Sequence, residues 1–159
     1  GFYISGQTNS YSVPATNLTI FFVGRQNSTS GANYILDIVS SSVAFGLNLN
    51  MNGSNYWYKQ GATLYPGATH SGNVYATWMF NDGANPEASL YVNGVLNQSN
   101  SSFNSLSASY TCFQIAQACS GGGPTNFYGE IAEILFYSRA LTTKERQNVE
   151  LFLKNKWGL

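Results

Sequence analysis

Glu130 and Glu133, two carboxylates three positions apart, are the residues whose types and spacing come nearest to a catalytic pair. A retaining glycosidase needs two carboxyl groups about 5 Å apart on one face, and an inverting enzyme needs a wider pair. In a regular β-strand, residues three apart point to opposite faces of the sheet. The spacing therefore predicts that Glu130 and Glu133 do not flank one glycosidic bond.

The usual nucleophile and phosphate-binding patterns are missing from the sequence. His70 is the only histidine, and it follows Pro66-Gly67 in a segment that reads as a loop. No serine has the G-x-S-x-G context of a nucleophile elbow. The glycines at 121–123 are followed by proline, whereas a phosphate-binding loop continues into Lys-Ser/Thr and a helix. We therefore expect the protein not to be an enzyme.

Cys112 and Cys119 are the only cysteines, and six residues separate them. Zinc sites built from cysteine group their ligands two plus two, which this pair does not do. A disulfide bond between Cys112 and Cys119 is the better interpretation, and it would join the end of a strand to the Gly-rich loop that follows. A disulfide also indicates an oxidising compartment.

The aromatic run Tyr56, Trp57 and Tyr58 lies among amide side chains and is the best local candidate for sugar binding. A sugar ring stacks on an aromatic side chain while planar polar groups bind its hydroxyls. On a strand, Trp57 would face one way and the two tyrosines the other, and one of these faces must be core. Two interpretations stay open: a ligand-binding cluster, or core and cross-strand pairs of a sandwich.

Polar residues outside the aromatic run supply the other contacts that a ligand site needs. Calcium takes about six to eight oxygen ligands, and Asp82 with Asn81 beside it is the one usable group in an acid-poor chain. We therefore predict a candidate calcium site at Asp82 and Asn81, and no other cofactor. The candidate ligand-binding residues are Asn50, Tyr56, Trp57, Tyr58, His70 and Asp82.

Composition narrows the class of partner. Charged residues make up 9% of the chain and the seven acids balance the seven bases, whereas an average domain is about 25% charged. Such a surface lacks the basic patch that nucleic acid requires, and no apolar run reaches the roughly 18 residues of a membrane span. Carbohydrate or neighbouring protein subunits are the partners that suit a neutral surface rich in amides and aromatic rings.

Short β-rich runs alternate with Asn, Gly and Ser turns, which is typical of a sandwich or jelly roll. Asn93-Gly94 is a strong hairpin signal, since both residues tolerate positive φ. The segment from Asn97 to Ser107 reads as a loop. The predicted strands are Phe2–Ser5, Leu18–Gly24, Asn33–Val39, Val43–Leu49, Asn55–Lys59, Asn73–Phe80, Ala88–Val92, Cys112–Ala116 and Glu130–Tyr137.

One helix is predicted, between Thr142 and Gly158. Thr142 and Glu145 have the spacing of a capping box, and Gly158 can end the helix. The residues predicted to dock on the sandwich are Val149, Phe152, Leu153 and Trp157. The residues predicted to face solvent are Lys144, Arg146, Asn148 and Lys154.

The C-terminal sequence carries a recognisable pattern, made of Gly129, Ile131, Ala132, Glu133, Tyr137, Arg139, Leu141, Lys156, Trp157, Gly158 and Leu159. This pattern resembles the ending of laminin-G-like domains of the concanavalin A-like lectin/glucanase superfamily from bacteria, phages and environmental sources. The resemblance implies an all-β, concanavalin A-like jelly-roll β-sandwich with one C-terminal α-helix, formed as a single domain by residues 1–159. It also implies that Glu133 pairs with Arg139 or accepts backbone N–H bonds.

These observations favour a non-catalytic carbohydrate-binding or adhesion module of a secreted, cell-surface or virion protein. The alternative is a structural or assembly domain of a fibre, capsid decoration or surface layer that has no sugar ligand. Because the chain begins with Gly1, we expect it to be a processed piece of a larger protein. Both interpretations place it outside the cell, on a cell surface or on a virion.

Overall fold

The structure, a computed structural model, describes residues 17–27, 33–39, 44–49, 55–60, 63–69, 72–81, 87–101, 112–116, 119 and 127–159. Within these residues the chain forms ten β-strands and one α-helix. The elements are β1 Asn17–Gln26, β2 Asn33–Val39, β3 Ala44–Leu49, β4 Asn55–Gln60, β5 Thr63–Thr69, β6 Asn73–Asn81, β7 Glu87–Val92, β8 Val95–Asn100, β9 Cys112–Ile115, β10 Gly129–Tyr137 and α1 Thr143–Trp157.

The strands form two five-stranded sheets, and this confirms the predicted jelly-roll sandwich. The order of the first sheet is β10-β1-β6-β7-β8, and the order of the second sheet is β5-β4-β3-β2-β9. The edges of the two sheets meet in matched pairs. Phe113 of β9 contacts Phe136 of β10 with ring centroids 5.7 Å apart, and β5 lies beside β8 at the other edge.

Alternate residues of the first sheet's strands point inward and make the core between the sheets. Trp78 of β6 is fully buried, and its cross-strand partners Ile20 and Leu90 lie on either side of it. β2 contributes Ile35 and Leu36 from the second sheet. Period-2 burial of this kind is what a strand with one buried face requires.

Helix α1 covers part of the outer face of the first sheet. Phe21 and Val23 of β1 point toward it and form a second, smaller core with Leu141 and Leu153. The predicted caps are confirmed: Thr142 and Glu145 form the capping box, and Gly158 ends the helix in the left-handed conformation with φ 67°. No helix in the described part of the chain is long and apolar enough to cross a membrane.

The buried face of α1 differs from the predicted one. Leu153 is fully buried, but Phe152 is 57% exposed and Trp157 is 41% exposed. Arg146, which was expected to face solvent, is buried together with Glu150. The stripe that meets the sheet therefore runs through positions 146, 149, 150 and 153, because the outer face of the first sheet offers polar partners as well as apolar ones.

Two strands were missed from the sequence. β5 contains Pro66, which has no N–H to donate to a neighbouring strand. For that reason the sequence of this segment indicated a loop. The proline is tolerated because β5 is the edge of its sheet. β8 includes Asn97, in the segment predicted to be a loop. The hairpin signal between β7 and β8 is confirmed, with φ 50° at Asn93 and 80° at Gly94.

The other predicted strands agree with the structure to within one or two residues, except that Phe2–Ser5 lies outside the described residues.

β1 and β10 come unusually close together at one end of the first sheet. A Cβ atom on Gly24 would collide with the backbone carbonyl of Glu130 and with the ring of Phe22. A Cβ atom on Gly129 would collide with the carbonyl of Arg25. Glycine is therefore needed on both strands at this point, where the pairing of β1 with β10 shifts register.

Candidate functional site

The aromatic run lies in β4, between β3 and β5 of the second sheet. Trp57 is paired with Asn48 of β3 and with Pro66 of β5. Tyr58 is paired with Leu47 and with Tyr65. The three aromatic residues are thus in the interior of the sheet, with one strand on each side.

The strand register relates these positions to the core. Leu36 of β2 is a core residue, and it is paired with Leu47, which is paired in turn with Tyr58. On its other side Leu36 is paired with Ile115, which also packs against the core. Tyr58 therefore shares a row with core residues, and Trp57 belongs to the alternate row.

Of the remaining candidate ligand-binding residues, Asn50, His70 and Asp82 lie outside the described residues. The neighbouring strand ends are described. Leu49 at the end of β3 is paired with Tyr56, and Thr69 at the end of β5 is paired with Asn55. The ends of β3 and β5 next to Asn50 and His70 thus meet at the beginning of β4.

Asn81, the predicted calcium ligand that the structure describes, is an exposed residue at the end of β6. Asn81 is eight residues from Asn73, the first residue of β6, and eight residues of strand span about 27 Å. Thr69, the last residue of β5, precedes Asn73 by only four residues. Asn81 therefore lies toward the other end of the sandwich from the start of β4. The described residues contain no group of three or more His, Cys, Asp or Glu that could hold a metal, and the calcium site stays a prediction.

Glu130 and Glu133 lie on the same side of the first sheet, which corrects the prediction that they point to opposite faces. Glu130 is paired with Arg25, and Glu133 is paired with Val23. Between these two pairs β10 advances by three residues, whereas β1 advances by two. Ala132 is the extra residue of this β-bulge. Both carboxylates therefore share the face that carries α1.

Each of these carboxylates is paired with a cation. Glu130 is 2.7 Å from Arg25. Glu133 accepts hydrogen bonds from Trp157 Nε1 at 2.8 Å and from Lys156 Nζ at 2.9 Å. The bond from Trp157 lowers the pKa of Glu133 most, and the bond from Lys156 lowers it further. Both carboxylates thus have a cation as their partner.

Arg139 is not the partner of Glu133, in contrast to what the resemblance implied. It donates instead to both carboxylate oxygens of Glu145, at 2.9 and 2.7 Å. Glu145 also accepts from the backbone of Thr142. The hydrogen bond from Arg139, followed by those from Thr142, lowers the pKa of Glu145 to about 2.

A cleft of about 220 Å³ opens on this face, where the C-terminal end of α1 meets β1, β6 and β10. Trp157, Arg25, Glu130 and Asn73 are the lining residues whose side chains carry polar atoms. Sequence reasoning missed the cleft because helical spacing assigned Trp157 to the core. The exposure of Trp157 depends on how α1 is rotated about its axis on the sheet, and the sequence does not give that rotation.

The predicted disulfide lies beside a buried acid. The carboxylate of Asp37 in β2 accepts a hydrogen bond of 2.7 Å from the backbone N–H of Cys119. The sulfur of Cys119 is 3.3 Å from the carbonyl oxygen of Asp37. The side chain of Cys112 is outside the described residues, so the Cys112–Cys119 bond stays a prediction.

The family model described as the concanavalin A-like lectin/glucanases superfamily matches residues 7–145 of the chain. No curated protein sequence matches the chain.

Solved structures of similar fold include sugar-bound proteins. A CBM40 domain of a Ruminococcus gnavus IT-sialidase, bound to α2,3-sialyllactose, is 15% identical with a TM-score of 0.70, over 86% of this chain and 83% of that one. Domain 4 of AbnA, a GH43 extracellular arabinanase from Geobacillus stearothermophilus in complex with arabinotriose, is 14% identical with a TM-score of 0.66, over 86% of this chain and 67% of that one. The Trypanosoma rangeli sialidase is 18% identical with a TM-score of 0.67, over 89% of this chain but only 23% of its own.

Proposed function

The chain belongs to the concanavalin A-like lectin/glucanase superfamily, and we propose that it is a non-catalytic carbohydrate-binding or adhesion module of an extracellular protein. The proposed ligand surface is the outer face of the second sheet, centred on Trp57. The observation that carries the proposal is the register of β4, which separates Trp57 from the row of core residues that contains Tyr58.

The two sheets differ in how much of their outer face is available. α1 packs on the outer face of the first sheet. No described helix or strand packs on the outer face of the second sheet, although Cys119 covers that face at Asp37 of β2. Tyr58 shares the row of Leu36 and Leu47, and Trp57 belongs to the row that alternates with it. We infer that the row of Trp57 and Asn48 is the outward row of the second sheet and that it carries the ligand surface.

The ion pairing of the two acids in β10 supports a binding role. Glu130 and Glu133, the two acids that β10 brings to one face, are both held in ion pairs. The low charge of the chain suits a ligand that is bound by stacking and by amide hydrogen bonds. Proteins of similar fold were solved with sialyllactose and with arabinotriose, so a saccharide is the class of ligand proposed, without a choice among sugars.

A glycan array tests the proposal, with the purified chain applied once in calcium and once in EDTA. Trp57→Ala is expected to weaken binding about tenfold, since the stacked ring supplies up to about 1.5 kcal/mol beyond its buried area. Tyr58→Phe is the matched control on the same strand and is expected to leave binding unchanged. Binding that survives Trp57→Ala would contradict the proposed surface, and loss of binding in EDTA would show that a metal ion takes part in binding.

An extracellular location is proposed from the cysteine pair. The intact mass, measured before and after reduction, tests for the Cys112–Cys119 bond, because the protein gains two hydrogen atoms when a disulfide is reduced. Two free thiols in the purified protein would count against an oxidising compartment.

The second candidate function is assembly with neighbouring subunits, and exposed apolar side chains favour it. Leu151 and Phe152 are each 57% exposed on the outward side of α1, and Val95 and Leu96 are exposed in β8. Contiguous exposed apolar surface is often an interaction site. Sedimentation velocity at micromolar concentration distinguishes the two functions: a monomer favours the binding module, and self-association that Phe152→Ser abolishes favours assembly.

A further inference from the structure

We propose that the cleft beside Trp157 is a second saccharide-binding site, which takes a neutral sugar ring stacked on the indole of Trp157. It lies on the helix side of the first sheet, whereas the surface proposed above lies on the second sheet. This site does not depend on the function proposed for Trp57, and either can be correct without the other.

Trp157 is a preorganised aromatic platform. Its side chain is exposed at the end of α1, yet its indole N–H donates a 2.8 Å hydrogen bond to Glu133. Glu133 is itself held by Lys156 at 2.9 Å. A ring that is already fixed loses little conformational entropy when a ligand stacks on it.

Polar groups that bind hydroxyls surround this platform. Arg25 and Glu130 line the cleft as an exposed ion pair 2.7 Å apart, and Asn73 lines it from β6. The guanidinium supplies donors, the carboxylate supplies acceptors, and the amide supplies both. A sugar hydroxyl both donates and accepts, so it matches a paired donor and acceptor better than a single charge.

The charges at the cleft indicate a neutral ligand. The positive charges of Arg25 and Lys156 are balanced by Glu130 and Glu133. The negative end of the α1 dipole lies at the same place and disfavours an anion. Lys154 lines the neighbouring cleft and not this one.

The available space suits more than one sugar unit. The neighbouring cleft, of about 400 Å³, shares Asn73 and Leu159 with the cleft of about 220 Å³ at Trp157. Small-molecule sites are typically about 300–1,000 Å³. A ring on Trp157 can therefore continue into the second cleft, toward Tyr75 and Asn93.

The test follows the indole N–H signals of the three tryptophans by NMR. Neutral trisaccharides of glucose, galactose, xylose and arabinose are added in turn at millimolar concentration, with digalacturonic acid as the acidic probe. At least one neutral trisaccharide is expected to move the Trp157 signal, assigned by Trp157→Phe. The buried Trp78 signal is the internal reference and is expected to stay in place.

Two variants locate the binding. Ala132→Leu fills the cleft from an exposed position and is expected to abolish the movement of the Trp157 signal, while Asn73→Ala weakens binding about tenfold or less. Trp57→Phe is expected to leave the movement intact. The proposal is overturned if no neutral trisaccharide moves the Trp157 signal, if only the acidic probe does, or if Trp57→Phe abolishes the movement. Failure of the Trp57 array experiment alone has no bearing on this result.

Discussion

Arg146 and Glu150 lie one helical turn apart in α1 and form an ion pair with an N–O distance of 2.6 Å, buried between the helix and the first sheet. Glu150 also accepts a 2.8 Å hydrogen bond from the hydroxyl of Thr77, and the guanidinium of Arg146 lies 3.7 Å from the ring centre of Tyr91. These polar contacts hold the centre of the helix on the sheet, although the Nε of Arg146 is buried without a hydrogen-bond partner among the described residues. Apolar contacts through Leu153 continue the same interface.

Glu150→Ala is expected to lower the free energy of unfolding by about 3–5 kcal/mol, because Arg146 is left as a buried charge without its partner. Urea denaturation measures the change. Glu130→Ala, which breaks the exposed Arg25–Glu130 pair, is the control and is expected to cost less than about 1 kcal/mol. Replacing both members by Arg146→Met and Glu150→Leu is expected to restore most of the loss. Equal costs for Glu150→Ala and Glu130→Ala would contradict the burial of the pair.

The neighbouring residues Phe152 and Leu153 provide a matched pair of truncations. Leu153→Ala is expected to cost about 2–5 kcal/mol, because it leaves a cavity under the helix. Phe152→Ala is expected to change stability by about 0.5 kcal/mol or less, since the ring is largely in solvent. Thermal or urea unfolding compares the two. A larger loss for Phe152→Ala would mean that α1 is rotated on the sheet relative to this structure.

The start of α1 is expected to respond to acid. The pKa of Glu145 is about 2 in the folded protein and 4.5 in its unperturbed state. A carboxylate with a lowered pKa adds stability that is fully present above pH 4.5 and is lost as the pH falls toward 2. Glu145→Gln removes both the charge and this pH dependence, so its unfolding free energy should fall less steeply than that of the unchanged protein between pH 4.5 and 2. Parallel acid profiles would show that the Arg139–Glu145–Thr142 contacts do not persist in solution.

Gly24→Ala tests the close approach of β1 and β10. The added methyl group would collide with the backbone of Glu130, and the overpacking is expected to cost about 1–3 kcal/mol or more. Gly72→Ala serves as the comparison, because nothing lies near its Cβ position and only its φ of 84° opposes a side chain. A cost of about 1–2 kcal/mol is expected there. Chemical denaturation of the two variants measures both, and Gly24→Ala without any loss would place the bulge elsewhere.

Features that depend on neighbouring residues could be predicted from the sequence. Asn93-Gly94 set the hairpin through positive φ, and Thr142 with Glu145 set the start of α1 through their spacing. These signals act within about four residues and need no knowledge of the fold. The two-sheet architecture followed from the same local patterns together with the resemblance at the C-terminus.

Features that depend on distant partners could not be predicted. The burial of Arg146 requires Tyr91 and Glu150 to be in place, and its charge alone indicated solvent. The bulge at Ala132 is invisible in a run of β-forming residues, so strand alternation gave the wrong face for Glu133. The strand character of β5 was hidden by Pro66, whose tolerance depends on the position of β5 at a sheet edge.

The position of β1 between β6 and β10 also affects how the protein can be made. The contact of Arg25 with Glu130 joins residues 105 apart, and that of Thr19 with Arg139 joins residues 120 apart. During translation β10 leaves the ribosome about a hundred residues after β1, because Glu130 follows Arg25 by 105 residues. One edge of β1 therefore stays unpaired until the residues between β1 and β10 have been produced. Long-range strand pairing of this kind folds slowly and exposes aggregation-prone edges on the way, so a chaperone that shields β1 would raise the yield of native protein.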